Sequence, residues 1–598
     1  MIDILKKLFY LLPKGDGLKV VVLFFMMLIA AVLEIAGIGM IPAFVAIVAV
    51  PEKVLEYELI EPVLTFLNIA NAQDLLIWGS GLLVLVFIFK SAYLIIFAYV
   101  EARFLLNRKF KISRRMMSTY MQAPYTFHLG RNSSEIVRNI IGEVNILINR
   151  VIQGFLRMGK DGVMTLTILL SLLYFEPIIT LVVIMLSGVG AGSFILFTQK
   201  KMKKLGIEEL EHRNQMMKAV YQGINGLKDA RVLNREAEFI HQYSSEALKS
   251  TRINTYTRFI QQMPRPIVEV SAVLGMMLIS VLMVWQGRPM AAIIPTLTLF
   301  AMATVRLMPA VQSISSMYTS LQYNIASLYP LYDDLKLLEN DTKEFQADRR
   351  KTKKINLQDK IEVKELYYSY PESSEQALRG ISVAIPKGQA VAFVGESGAG
   401  KTTIVDLLLG LLKPAKGEIT VDGKDIFENL SGWQRNIGYI PQSIFLADDT
   451  LRKNIAFGLP EKEIDDKKVK RALKSAQLDK LLESLPEGLE TIVGEHGTRL
   501  SGGQRQRVGI ARALYHNPEV LVMDEATSAL DNITEQQVTA AIESLMGERT
   551  IVIIAHRLTT VMNCDRLYLM ENGEIIEEGT YNELVQKSIQ FREMALEA

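Results

Sequence analysis

Gly395-Glu396-Ser397-Gly398-Ala399-Gly400-Lys401-Thr402 follows the strand-like run Val391-Ala392-Phe393-Val394 and fits the pattern G-x-x-x-x-G-K-[ST]. The glycines let the backbone curl tightly, so several N–H groups face one anion. A helix starting at Lys401 adds its positive dipole end to the same spot. In this pattern Lys401 reaches the outer phosphates and the Thr402 hydroxyl a Mg²⁺ ion, with Thr403 beside it. Alone, the run specifies a nucleotide-binding loop between a strand and a helix, and a Gly-rich turn is the competing reading. What such a loop powers must come from the rest of the chain.

The chain has 598 residues, of which 49% are hydrophobic, and its mean hydropathy is +0.21. The excess sits in the first half, in runs too long for globular helices. Net charge is +2, which gives no bulk electrostatic case for a nucleic-acid partner. Cys564 is the single cysteine, so no intrachain disulfide can form. Residues 1–17 do not read as a cleaved signal, because the apolar run that follows is too long and lacks a small-residue cleavage site.

About 20 apolar residues span a bilayer. Six runs qualify, at roughly 18–50, 75–100, 155–175, 178–199, 264–286 and 291–313. The gaps at 101–154 and 200–263 are long and carry basic clusters, Arg108-Lys109-Lys111-Arg114-Arg115 and Lys200-Lys201-Lys203-Lys204. Basic residues stay in the cytoplasm. That expectation puts both long gaps and both termini inside the cell (plasma, or inner, membrane) and the tight turns near Glu176-Pro177 and Gly287-Arg288-Pro289 outside. Trp78 and Trp285 fall where an outer aromatic belt would lie. The expected organisation is an all-α membrane domain of six helices over 1–335, a polar linker over 336–358 with the cluster Lys351 to Lys354, and an α/β domain over 359–598 with a largely parallel sheet.

Four apolar residues ending in two acids, Val520-Leu521-Val522-Met523-Asp524-Glu525, read as a buried strand with its acids at the carboxyl end. Asp524 there can hold Mg²⁺ beside the phosphate loop. Leu500-Ser501-Gly502-Gly503-Gln504 is Gly-rich and opens a helix, which makes it an anion site in its own right.

With these motifs in order, residues 359–598 resemble the nucleotide-binding domain of ABC transporters along their whole length. The resemblance implies ATP and Mg²⁺ as ligands and ATP hydrolysis as the reaction. It implies Glu525 as the catalytic base, His556 in Ile554-Ala555-His556-Arg557 as the switch histidine, and Gln442 after Gly438-Tyr439-Ile440-Pro441 as a Mg²⁺ and water ligand. Tyr370 resembles the aromatic that stacks on adenine, although Tyr367 and Tyr368 lie close by. Ser528-Ala529-Leu530-Asp531 resembles the loop that links the two ATP sites. In the family, the signature Ser501, Gly502, Gly503 and Gln504 covers the nucleotide on a partner domain. One chain with one phosphate loop and one signature therefore implies a second copy or a sister chain, and the intact half-sites favour a homodimer.

Domain order, six spans and long inner loops resemble exporter half-transporters. That resemblance implies short coupling helices, for which Ala123–Arg131 and Tyr221–Arg231 are the candidates; ordinary loop helices are the alternative. The cargo is written more faintly. A charge at the bilayer centre costs roughly 2.5–3.5 kcal/mol on insertion scales. Yet Glu34, Lys90 and Arg306 sit inside apolar runs, with Arg265 near the end of another. They either line a basic cavity for an anionic head group or satisfy themselves as a Glu34–Lys90 or Glu34–Arg306 pair. Between 52 and 70, Leu55, Leu59, Val63 and Leu67 recur every four residues, as in a helix lying on the outer membrane surface. Both features, with Leu33 to Gly39 and Phe127 to Glu135, resemble PglK-type flippases of lipid-linked oligosaccharides. Such a protein turns polyprenyl-pyrophosphate glycans from the inner to the outer leaflet. An exporter of other lipids, peptides or drugs is the alternative, and an ATP-gated channel or sensor is a further one.

Overall fold

In a computed structural model the chain divides into two units, Met1–Gln122 with Arg131–Glu339, and Ala123–Gly130 with Asn340–Ala598. The structure describes residues 2–12, 15, 17–49, 71–175, 177–285, 290–349, 353–371, 373–524, 532–555 and 557–597. The outer segment 52–70 and its expected surface helix lie outside the described residues.

The first unit is helical among its described residues. Helices Gly17–Ala49, Ala72–Met121, Gln153–Phe175, Pro177–Asn225, Pro264–Trp285 and Met290–Asn324 cover the six apolar runs. Three described stretches are long and apolar enough to cross a membrane, Gly17–Ile41, Gln73–Met121 and Glu236–Trp285. Gln153–Phe175 is more polar, carrying Arg157, Lys160 and Asp161 in its first half. Large apolar side chains point outward here: Ile95 is 70% exposed and Phe197 89%. A lipid surround makes that arrangement favourable, because acyl chains solvate such groups as well as a protein core does. Close packing between helices depends on small residues. A Cβ on Gly206 would stand 1.9 Å from the Tyr323 carbonyl oxygen, so the Pro177–Asn225 and Met290–Asn324 helices meet there at backbone contact.

The same unit keeps polar groups inside, mainly in the two long gaps. Tyr120 Oη donates to Asp334 Oδ2 at 2.6 Å, and Asn139 Nδ2 donates to the Tyr120 oxygen at 3.1 Å. Arg131 pairs with Asp334 at 2.8 Å. Glu143, fully buried, lies between Arg138 (3.7 Å) and Arg213 (3.4 Å). Two nearby segments, Arg138–Glu143 and Leu147–Ile152, are wound as π-helix, a rare form that is frequent at functional sites.

The second unit contains β1 (Lys360–Tyr368), β2 (Leu378–Pro386), β3 (Ala390–Val394), β4 (Lys416–Val421), β5 (Lys424–Asp425), β6 (Ile437–Ile440), β7 (Val520–Asp524), β8 (Thr550–Ile554), β9 (Arg566–Glu571) and β10 (Glu574–Gly579). They form a six-stranded sheet, β10-β9-β3-β8-β7-β6, and a separate four-stranded sheet, β2-β1-β4-β5. In the larger sheet, pairs β9–β3, β3–β8, β8–β7 and β7–β6 are parallel and only the β10 edge is antiparallel. Val391 and Phe393 pack on one face and Ala390, Ala392 and Val394 on the other. Both faces are covered, which is why β3 and β7 read as unbroken apolar runs.

The four-stranded sheet departs from the parallel expectation. It is antiparallel throughout. Asp422 and Gly423 have φ of 50° and 79°, the turn geometry that joins adjacent antiparallel strands. The polar stretch after 336 is also more ordered than a linker: Glu339–Arg349 is a helix. Asp348 fastens its end by accepting from Ser431 N (2.8 Å) and Oγ (2.5 Å).

Candidate ATP site

β3 delivers the chain to the phosphate loop. Gly395 leaves the strand at φ 145°, where a Cβ would lie 2.2 Å from the Met570 carbonyl oxygen, so only glycine fits. Gly398 and Gly400 turn at φ 89° and 98°, and the Lys401–Leu408 helix begins at once. Lys401 is 5% exposed, and its Nζ donates to the Gly395 (2.6 Å) and Glu396 (2.8 Å) carbonyls. The ammonium is thus held at the loop by two of the loop's own carbonyl oxygens. Ser397 is exposed and Ala399 buried, while Thr402 is exposed at the first turn of the helix.

Register aligns the remaining strands with this loop. Phe393 of β3 pairs with Ile554 of β8, and Ile554 pairs with Asp524 of β7. Asp524, 9% exposed, therefore ends its strand at the level of the loop. Glu525 and His556 follow these strand ends in sequence and lie outside the described residues, as does Ser528 to Asp531. Gln442 is exposed two residues beyond β6. Among the described residues no cluster of three His, Cys, Asp or Glu could hold a metal alone. The expected donors, the Thr402 hydroxyl, the Asp524 carboxylate and the Gln442 amide, are oxygens suited to Mg²⁺. That ion is usually bound by one or two carboxylates together with substrate phosphates.

Tyr370 is distinguished from its neighbours by its contacts. Tyr368 is 5% exposed within the core, and Tyr367 lies against Gly380 with Lys416 over its ring. Tyr370 stands edge-on to Tyr368 at 5.1 Å, and its hydroxyl reaches Thr403 Oγ1 at 3.1 Å, tying it to the phosphate-loop helix. The signature forms a capping box. Ser501 Oγ accepts from Gln504 N (3.3 Å), and Gln504 Oε1 accepts from Ser501 N (2.8 Å). This fixes the start of the Gly502–Leu514 helix, with Gly502 exposed and Gly503 buried.

Two groups here escaped the sequence reading. Asp406 follows Lys401 by five residues on a helix otherwise packed with Ile404, Val405, Leu407 and Leu408. Burial, then the charge of Asp524, pushes its carboxyl up to about 6. A lone acid among apolar helix positions was the available signal. Tyr125 begins the short Tyr125–Leu129 helix, which belongs to the second unit although the sequence places it between membrane runs. Burial raises its phenol pKa, and Asp406 and Tyr370 add to the shift. The other coupling candidate, Tyr221–Arg231, spans the end of Pro177–Asn225 and most of the Leu227–Val232 helix in the first unit.

Of the charges in apolar runs, Lys90 Nζ and Glu34 Oε2 lie 2.6 Å apart, and Lys90 is 4% exposed. The self-satisfied pair is therefore the arrangement present, and Lys90 is not a bare cation facing a cavity. Gly37 makes room for it, with a Cβ position 3.2 Å from Nζ. Arg265 is exposed. Arg306 lies in the Met290–Asn324 helix, its side chain outside the described residues.

Fold and site together define a phosphate-loop ATPase unit joined to a helical membrane unit. The family model of the ABC transporter matches residues 378–528, and that of the ABC transporter transmembrane region matches residues 59–308. The ATP-dependent lipid A-core flippase of Ralstonia nicotianae is 30% identical over 503 residues, covering 82% of this chain and 81% of that one. The protein of the same name from Cupriavidus pinatubonensis is 30% identical over 502 residues, with 83% and 82% covered. A solved structure of a bacterial Atm1-family ABC exporter with ATP bound shares the fold, with a TM-score of 0.79, 98% of each chain covered and 22% identity. The chain belongs to the ABC transporter family as an exporter-type half-transporter, an ATPase whose hydrolysis is coupled to transport.

Proposed function

We propose that two copies of this chain form a homodimer that flips a lipid-linked, polyprenyl-pyrophosphate oligosaccharide from the inner to the outer leaflet of the plasma (inner) membrane. The ATPase units and both termini face the cytoplasm. The observation that carries a lipid cargo is the likeness, over four-fifths of both chains, to proteins named as lipid A-core flippases. Arg265, exposed on an apolar helix, and Arg306 on another support an anionic head group. The same relatives favour a second reading, a lipid A-core-like glycolipid as cargo; nothing comparable favours peptides, drugs or a channel.

In this proposal each phosphate loop is completed by the partner copy's signature. Phosphoryl transfer asks for positioning and charge neutralisation. Lys401, the N–H groups of the loop and signature, and His556 supply charge, while Glu525 and Gln442 place the attacking water. Thr402, Asp524 and Gln442 would hold Mg²⁺, which would supply charge neutralisation at the phosphate oxygens. ATP favours the closed dimer and biases the membrane unit outward, each tenfold shift requiring about 1.4 kcal/mol of differential binding. The Tyr125–Leu129 helix transmits this, because it belongs to the unit of the phosphate loop although the sequence places it between membrane runs.

The test is reconstitution in vesicles with a fluorescent polyprenyl-pyrophosphate glycan and with a lipid A-core glycolipid. Arg265→Gln with Arg306→Gln is expected to stop flipping of the first while basal ATPase activity persists. Unchanged flipping removes the basic-cavity reading, and ATP-dependent flipping of the glycolipid alone favours the second cargo.

A further inference from the structure

The first unit contains a cavity of about 420 Å³ that none of the site residues above enters. Asn145, Asn149, Arg150, Gln153 and Arg157 line it from one stretch of chain, with Ser320 opposite. Four of these recur every four residues, 145, 149, 153 and 157. In a plain α-helix such a stripe drifts around the axis, because a turn takes 3.6 residues. The π-wound Leu147–Ile152 segment turns less per residue and offsets that drift, keeping the polar groups on one wall.

The wall is a hydrogen-bonded chain. Lys109 Nζ and Asn149 Nδ2 both donate to Asn145 Oδ1 at 2.8 Å. With its amide turned to satisfy both neighbours, Gln153 donates to the Asn149 carbonyl and accepts from Arg157 NH2, each at 3.1 Å. The amides thereby orient the wall without neutralising it. Neither Arg150 nor Arg157 makes an ion pair among the described residues, and no carboxylate lines the cavity. Two guanidiniums, a nearby ammonium and donor amides facing one roomy space form an anion receptor, since planar guanidiniums match phosphate oxygens two at a time.

We infer that this cavity binds a phosphate or pyrophosphate group, held by Arg150 and Arg157 and steadied by Asn149 and Gln153, as a subsite distinct from Arg265 and Arg306. The anion chemistry stands by itself; naming a lipid pyrophosphate as its source rests on the flippase reading. The test measures binding of farnesyl pyrophosphate and of inorganic pyrophosphate to full-length, nucleotide-free protein in nanodiscs. Arg150→Gln and Arg157→Gln are each expected to weaken binding roughly tenfold, the size of a lost charged hydrogen bond. Asn149→Ala with Gln153→Ala should weaken it less, and Arg150→Lys with Arg157→Lys should restore part of the loss. Melting temperature and basal ATPase activity are expected to stay at wild-type values. Tighter binding of the farnesyl form assigns the site to a lipid, and equal binding assigns it to a free anion. Equal affinity in wild type and in the Arg150→Gln, Arg157→Gln double variant, or no binding by wild type, overturns the subsite. Wild type that binds pyrophosphate but flips no lipid glycan removes the flippase reading and leaves the subsite standing.

Discussion

The two units place their polar and apolar groups in opposite senses. In the ATPase unit, β3, β7 and β8 are buried along their whole length, and the charged groups of the site gather where strands end. In the membrane unit, Ile95 and Phe197 face outward while Glu34, Lys90, Glu143 and Asp334 are sheltered inside. The difference teaches where each half is vulnerable. A water-facing unit is held by apolar packing and works through groups at its rim. A lipid-facing unit gains little from apolar burial between helices and depends on close backbone contact and satisfied polar pairs.

The largest effect tests whether the ATPase rim is separable from packing. Glu525→Gln is expected to lower ATP turnover by roughly 10²–10⁴-fold, the usual weight of a general base. ATP binding and the melting temperature should be retained, and closed dimers should accumulate. Near-wild-type turnover in this variant would remove Glu525 from the proposed role.

Next comes the sheltered pair of the membrane unit. Glu34→Met or Lys90→Met alone leaves the other charge sheltered without its partner and should cost about 3–5 kcal/mol of stability. The double change Glu34→Met with Lys90→Met should cost far less. Thermal unfolding of the four proteins gives the coupling between the sites. Additive losses would mean that the 2.6 Å contact does not hold the Gly17–Ala49 and Ala72–Met121 helices together.

Packing should respond less than charge. Gly206→Ala forces a Cβ against a backbone carbonyl that has no free rotation, so about 1–3 kcal/mol should be lost. Gly159→Ala, where nothing lies within 4 Å, is the matched control and should leave stability unchanged. Equal losses at the two positions would deny that the Gly206 crossing is closer than the rest.

These contrasts explain what could be read from the chain. The phosphate loop, β7 and the signature helix were legible because their chemistry is local: a strand, a glycine turn and a helix start within a dozen residues. The antiparallel sheet was missed although Asp422-Gly423 was a usable hairpin signal, because β1 pairs with strands on both sides of β3 in sequence. The partner of Glu34 stayed open because Lys90 is 56 residues away, and hydropathy does not say which faces of two apolar helices meet. The place of Tyr125 was hidden for a different reason. It lies between membrane runs in sequence yet belongs with Asp406 and Tyr370.

The smallest effect separates the two ways of stabilising a carboxylate. Burial by itself would raise the Asp422 carboxyl. Three backbone amides, Gln358 N (2.7 Å), Asp359 N (2.9 Å) and Lys360 N (3.0 Å), outweigh it together with the charge of Lys387, so its pKa lies below the usual carboxylate range. The unfolded chain then binds this proton more readily than the folded one. The stabilisation is complete above the unfolded pKa of about 3.9 and disappears as pH falls through the lower folded value. Asp422→Asn keeps a residue that tolerates φ 50° but offers one acceptor oxygen in place of two. It should cost about 1 kcal/mol at pH 7, and the difference from wild type should vanish in acid. Urea unfolding of the full chain across pH 3 to 7 follows this, read from the ATPase unit's transition. A cost that persists at low pH would show that the turn, not the charge, is what Asp422 contributes. The rim of the ATPase unit would then owe its order to local geometry, as the Gly206 crossing of the membrane unit does.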